Sequence, residues 1–150
     1  MKNIFTAPVA NEVISRINQL TPESKRLWGK MTVSQMLAHC SVTYEQVYDE
    51  NYPKSTFFEK LLAYAFARSV VIGKKPYTKN SPTAKNFIIK GERNFEIEKK
   101  RLIDFINKTQ QLGENHFDNK ASISFGKLNQ EQWNTMFYKH LDYHLTQFGV

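Results

Sequence analysis

Residues 129–149 constrain this chain more than any other stretch. Trp133, Met136, Phe137, His140, Leu141, His144, Leu145 and Phe148 recur at steps of three or four, the period of a helix with one buried face. Two of those inward positions are histidines. His140 and His144 stand one turn apart, so their imidazoles leave the helix on the same side, roughly 6 Å from each other. That spacing lets two neutral imidazoles share one metal ion. A third histidine, His39, lies within another apolar helical run, residues 33–47. The pattern predicts a helical core in which His39, His140 and His144 meet and bind a divalent metal.

The composition suits such a core. A chain of 150 residues, 41% hydrophobic and 23% charged, is expected to form one soluble domain spanning residues 1–150. The single cysteine, Cys40, excludes an internal disulfide and fits a reducing, cytoplasmic setting. Residues 1–6 have no apolar signal region, and no run approaches eighteen apolar residues. The most apolar stretch, 61–72, contains Tyr64, Arg68 and Ser69, so it reads as a bundle helix and no membrane partner is expected.

Taken in order, residues 7–20 predict a first, shorter helix with Pro8 near its start and Val9, Val13, Ile14, Ile17 and Leu20 on one face. Residues 21–31 form a connection containing Pro22, Trp28 and Gly29. Thr32 and Gln35 then make a capping box, with Met31 and Met36 as a hydrophobic staple. Asn129 and Gln132 repeat the box before the last helix. Between them, a helix from about Ser55 to residue 71 is expected to turn Phe58, Leu61, Leu62, Ala65 and Phe66 inward, ending at Gly73. A long polar crossover, 74–90, carries Pro76 and Pro82; its length hints at function or at a bundle crossover. Residues 91–112 predict a further helix facing the core with Phe95, Leu102, Phe105 and Ile106, stopped by Gly113. Residues 114–127 read as loop, with an extended piece near 121–125. The expected fold is all-α: a four-helix bundle with a long crossover connection plus a short N-terminal helix.

The net charge of +7 is concentrated between Arg68 and Arg101, where Lys74, Lys75, Lys79, Lys85, Lys90, Arg93, Lys99 and Lys100 face few acids. Such a patch can hold phosphates. No winged-helix, zinc-finger or RNA-binding signature accompanies it, so a solvated surface is expected and no specific nucleic acid.

Other residues near the three histidines have separate expected roles. Asp142, two residues from each ligand, points away from them, and His116 sits in a loop without a helical partner. Thr43 and Gln147, each one turn beyond a histidine, are placed to hold the ligands from outside. Cys40 is rotated about 100° from His39 onto the core stripe and reads as a small buried residue. Three neutral ligands leave an ion its full charge and an open position, the pattern of a catalytic site that activates water or a small thiol. No Ser-His-Asp set, P-loop or dinucleotide fingerprint is present.

Two blocks of residues resemble a known family. The first comprises Leu20, Ser24, Arg26, Trp28-Gly29-Lys30-Met31 and Gln35-Met36-Leu37-Ala38-His39-Cys40. The second comprises Phe125-Gly126-Lys127-Leu128, Trp133, Tyr138-Lys139-His140-Leu141-Asp142, His144 and Gln147-Phe148-Gly149. Together they resemble the DinB-like (DinB/YfiT) superfamily, in a branch catalogued as a domain of unknown function. Relatives in that branch often carry His-Pro before the Phe-Gly, where this chain has Ser122-Ile123. The resemblance implies a four-helix bundle with a long crossover, commonly a homodimer. It implies the ligand set His39, His140 and His144, with zinc or nickel as the first candidates for the metal and iron next. It also implies a small-molecule substrate, in some members a low-molecular-weight thiol. The function expected is a metal-dependent transferase acting with a small thiol, or a hydrolase. The alternative is a non-catalytic metal- or ligand-binding bundle in which the metal is structural.

Overall fold

The computed structural model describes residues 1–53 and 56–150, and only the backbone of Glu59 and Lys60. Its elements are α1 (Ala7–Asn18), α2 (Val33–Tyr48), α3 (Phe57–Leu62), a π-helical turn (Ala63–Ala67), α4 (Arg68–Ile72), a 3-10 turn (Lys85–Phe87), α5 (Phe95–Phe117), β1 (Lys120–Ser122), β2 (Gly126–Leu128) and α6 (Gln130–Gln147). The chain is all-α apart from the small hairpin. Among the described residues no helix is long and apolar enough to cross a membrane.

The helix starts form where local chemistry demands them. Thr32 Oγ1 accepts from Gln35 N at 3.2 Å while Gln35 Oε1 accepts from Thr32 N at 3.0 Å. Asn129 and Gln132 make the same reciprocal pair at 2.9 and 3.0 Å. Each box satisfies donors that a helix N-terminus otherwise leaves without partners, and loss of such a cap costs about 1 kcal/mol. The two helices that carry the histidines therefore begin at fixed residues.

α5 packs on α1, α2 and α6, and α6 packs on α1 and α2 as well. Their shared core is aromatic at its centre: Tyr44 stacks on Phe137 with centroids 4.9 Å apart and on Phe105 at 5.6 Å, and Phe117 meets Phe137 edge-on at 5.4 Å. Val13 and Ile17 of α1, Leu37 of α2, Leu102 and Ile106 of α5 and Leu141 of α6 complete it.

Four expectations need correction. The helix predicted from Ser55 begins at a residue outside the described set. Its described part does not turn its apolar residues inward: Phe58, Leu61, Leu62, Ala65 and Phe66 are exposed, and only Ile72 of α3–α4 is buried. Helical periodicity reports which residues share a face; it does not report what covers that face. The fourth predicted helix starts at Phe95, later than residue 91, because Asn94 caps it by accepting from Ile97 N at 3.0 Å. Gly113 does leave helical geometry, at φ 71°, but the chain then resumes a turn as far as Phe117. Finally, the extended piece expected near 121–125 within the loop 114–127 is instead an antiparallel hairpin in which Lys120 faces Leu128 and Ser122 faces Gly126.

Candidate metal centre

α2 and α6 bring their histidines together at one point. His39 and His140 approach through Nε2 atoms 3.0 Å apart. Ring centroids lie 4.9 Å apart for His39 and His140, 4.6 Å for His39 and His144, and 4.8 Å for His140 and His144. One donor nitrogen from each ring lies within 4.8 Å of the other two. All three predicted ligand residues are thus in the same cluster. His116 is elsewhere, exposed and 3.4 Å from Lys120 Nζ. Asp142 points outward, accepting from Arg16 Nη1 at 2.7 Å.

Each ring is held from outside by its other nitrogen. The Phe87 carbonyl oxygen lies 2.8 Å from His39 Nδ1. A carbonyl can only accept, so Nδ1 bears the proton and the Nε2 lone pair faces the cluster. For His144 the same conclusion takes two steps. Gln147 Nε2 donates to the Trp28 carbonyl at 2.8 Å, which fixes the orientation of the amide. Its Oε1, 2.9 Å from His144 Nδ1, must then accept from an Nδ1–H, leaving Nε2 as the free donor atom. His140 Nδ1 is 3.0 Å from Thr43 Oγ1, a group that can donate or accept. In the metal-free protein His140 therefore donates Nε2–H to His39 Nε2 and accepts from the Thr43 hydroxyl. In the other neutral tautomer the proton is on Nδ1, the rotated Thr43 hydroxyl accepts from it, and the third Nε2 is a free lone pair at the same ring charge.

Thr43 and Gln147 are the two outer partners expected from the sequence. Gln147 holds the histidine of its own helix as expected, whereas Thr43 reaches across to His140 and not to His39. The Phe87 carbonyl was not anticipated, nor was the aromatic surround. Phe87 packs edge-on against His39 at 5.5 Å and His140 at 6.0 Å, Tyr77 against His140 at 6.5 Å, and Tyr143 against His144 at 5.0 Å. Phe87 and Tyr77 come from the connection between α4 and α5, whose unusual length was its only signal. Burial drives all three histidine pKa values down: His39 below its usual value, His140 well below it with its two neighbours adding to the effect, and His144 to about 3. His140 keeps some exposure as a residue, yet its ring is enclosed by the other rings and Thr43. The cluster is built to stay neutral, the state in which imidazole coordinates a cation.

Among the described residues, Lys139, beside His140 in sequence, has no acidic partner at its ammonium. It is buried and donates to the carbonyls of Val70 at 2.6 Å, Gly73 at 2.5 Å and Lys75 at 3.1 Å, and burial lowers its pKa to about 8. It ties the end of α4 and the start of the connection that follows it to α6. Cys40 takes no part in the cluster. Its thiol lies in the core, 3.8 Å from Met36 Sδ, and burial raises its pKa.

Residues 3–149 match the model of a family described as "Protein of unknown function (DUF1569)". Neither the curated proteins nor the solved structures contain a match to the chain.

Proposed function

The chain belongs to the DUF1569 family, whose description names no activity, and from the site itself we propose a single-domain, DinB-like metalloprotein with a three-histidine centre. His39, His140 and His144 would hold one divalent ion, zinc or nickel before iron, and the protein would act with it on a small molecule, a low-molecular-weight thiol being the first candidate. One observation carries the reading. Three imidazoles from two helices converge while a separate partner occupies the outward nitrogen of each. Oriented imidazoles of this kind are what a transition-metal site requires. A carboxylate-rich site for magnesium or calcium would need oxygen donors, which this cluster lacks.

When bound, such an ion supplies Lewis acidity: it polarises a substrate oxygen or stabilises a thiolate. The chain's own residues orient and enclose. Phe87 fixes His39, Gln147 fixes His144, and Thr43 accommodates either tautomer of His140. Phe87, Tyr77 and Tyr143 limit the access of water. No carboxylate in the cluster can serve as a general base, so a thiol that ionises readily suits this centre better than a substrate whose proton must be removed by the protein.

A second reading, in which the metal only ties α2 to α6, draws on one observation. A cleft of about 410 Å³, lined by Lys74, Pro76, Tyr138, Lys139 and Asp142 among others, includes none of the three histidines. Cobalt separates the two readings. Protein loaded with cobalt should hold one ion per chain, and His140→Ala or His144→Ala should lose it. Titration with a small thiol should raise a sulfur-to-cobalt charge-transfer band that persists in Cys40→Ser. A spectrum indifferent to thiol leaves the structural reading standing, and full metal content in both alanine variants refutes the site.

A further inference from the structure

The side of α6 turned away from the histidines carries polar groups that the fold leaves without partners. Tyr138, Lys139 and Asp142 follow Thr135 at the spacings that put side chains on one side of a helix. At about 100° per residue, that side points about 170° away from His140 and His144. It walls the cleft of about 410 Å³, a volume in the range of small-molecule sites. Lys74 and Pro76, from the connection after α4, supply more of the lining.

Thr135 is 3% exposed and Tyr138 8%, yet neither hydroxyl makes a hydrogen bond to a described residue. Neither oxygen is sealed in. Among the described residues the enclosed side-chain atoms without partners are Tyr44 Oη, Arg68 Nε and Arg101 Nε. The two hydroxyls of α6 therefore open on the cleft they line. Side chains this deeply buried normally have their polar atoms satisfied, by protein or by something bound.

Charge indicates what would be bound. Glu131 pairs with Lys74 at 3.0 Å, and Asp142 with Arg16 at 2.7 Å. Of the charged side chains lining the cleft, Lys139 is left without a counter-charge among the described residues. Its three N–H bonds go to the carbonyls of Val70, Gly73 and Lys75, and its Nζ lies 4.6 Å from the centre of the Tyr77 ring. Carbonyls and a ring solvate an ammonium but do not neutralise it. A desolvated cation beside open space favours an ion of opposite sign, and one surplus charge matches a monoanion. Because its hydrogens are committed, Lys139 supplies the field, while Thr135 and Tyr138, neighbours three apart on the helix, supply the hydrogen bonds. A carboxylate has one oxygen for each hydroxyl, and Pro76 with the Tyr138 ring offers contact to an apolar body. We propose that this cleft binds a small monocarboxylate with an apolar body. The site is separate from the three histidines and stands whether or not they hold a metal.

Amide chemical shifts of the isotope-labelled full chain test this, with benzoate and butyrate as probes. Both should move the signals of Lys74, Thr135 and Asp142 saturably and leave those of His39 and Phe87 in place. Benzamide, which has the shape of benzoate without its charge, should bind at least about 10-fold more weakly, the scale of a lost charge-assisted hydrogen bond. Thr135→Val keeps the shape of the residue without its hydroxyl and should weaken benzoate by about the same factor. Lys139→Met should abolish binding; if that variant fails to fold, benzamide and Thr135→Val still decide. The proposal is overturned if neither carboxylate gives a saturable shift, if benzamide binds as well as benzoate, or if Thr135→Val binds benzoate like the wild type. Shifts centred on His39 also overturn it, in favour of the histidine cluster, and inorganic phosphate binding more tightly than both carboxylates overturns it in favour of a dianion.

Discussion

Replacing Gln147 by leucine tests the logic of the centre without touching a ligand. The residue is buried, and its amide links His144 Nδ1 at 2.9 Å to the Trp28 carbonyl at 2.8 Å. Leucine fills similar space and removes both contacts. His144 then loses the acceptor that fixes its ring and raises the basicity of Nε2. Loss of such an outer partner weakens metal binding by about 10–100-fold, equivalent to about 1.4–2.8 kcal/mol. The stranded Nδ1–H and Trp28 carbonyl also destabilise the metal-free fold, by about 1–3 kcal/mol for each group left unpaired. Gln147→Glu separates the two effects. Its carboxylate still accepts from His144 but cannot donate to Trp28, so metal affinity should exceed that of the leucine variant although stability falls. Gly29→Ala approaches the same link from the other side. A Cβ there would lie 2.3 Å from Gln147 Nε2, at a backbone φ of 83° that favours glycine. The amide must move, and part of the leucine phenotype should follow. Competition against a chromophoric zinc chelator gives the affinities, and thermal unfolding gives the stabilities. A folded Gln147→Leu protein that binds zinc within about twofold of wild type would refute the role assigned to the outer partners.

Two further outcomes follow from the burial of charged or titratable groups. The His144 pKa is about 3 in the fold and near 6.5 in an unfolded chain, so the unfolded state binds the extra proton. Stability of the metal-free protein is full above pH 6.5 and falls as pH drops from there towards 3, by about 1.4 kcal/mol per pH unit for each such histidine; a urea midpoint unchanged between pH 7 and 5 contradicts this. Lys139→Met should strand the carbonyls of Val70, Gly73 and Lys75, cost about 1–3 kcal/mol, and speed amide exchange across residues 70–78. An unchanged melting temperature with unchanged exchange would show that the three contacts do not hold α4 in place.

The elements read correctly from the sequence are those specified by neighbours in the chain. Thr32 with Gln35 and Asn129 with Gln132 lie three residues apart, so the caps that begin α2 and α6 were legible without any tertiary information. The segment 57–72 was misplaced for the converse reason. Its apolar ridge is real, but the ridge stays exposed, and it is α1 that packs against α5 and α6. Hydrophobic pattern is a property of the segment, whereas burial belongs to the pair of surfaces that meet. At 121–125 the sequence indicates an extended piece, but not its pairing into the hairpin of Lys120–Ser122 with Gly126–Leu128, because three-residue strands are too short to show an alternating period.

At the three-histidine cluster the same division has a further consequence. His140 and His144 were legible as a pair because four residues on one helix place two side chains together, and His39 because its helix shows a core stripe. The groups that orient them come partly from backbone carbonyls, at Phe87 directly and at Trp28 through Gln147. Every residue has such a carbonyl, so no side-chain pattern could mark these two. Both stand in connecting segments, one between α1 and α2 and one between α4 and α5, whose conformation is otherwise held by few core contacts. An ion held by the three histidines would favour the ring orientations that these carbonyls set, and by linkage would favour the ordered form of both connections. The long connection between α4 and α5 then belongs to the cluster itself: it supplies the Phe87 carbonyl that selects the His39 tautomer, and the Phe87 and Tyr77 rings that enclose His140.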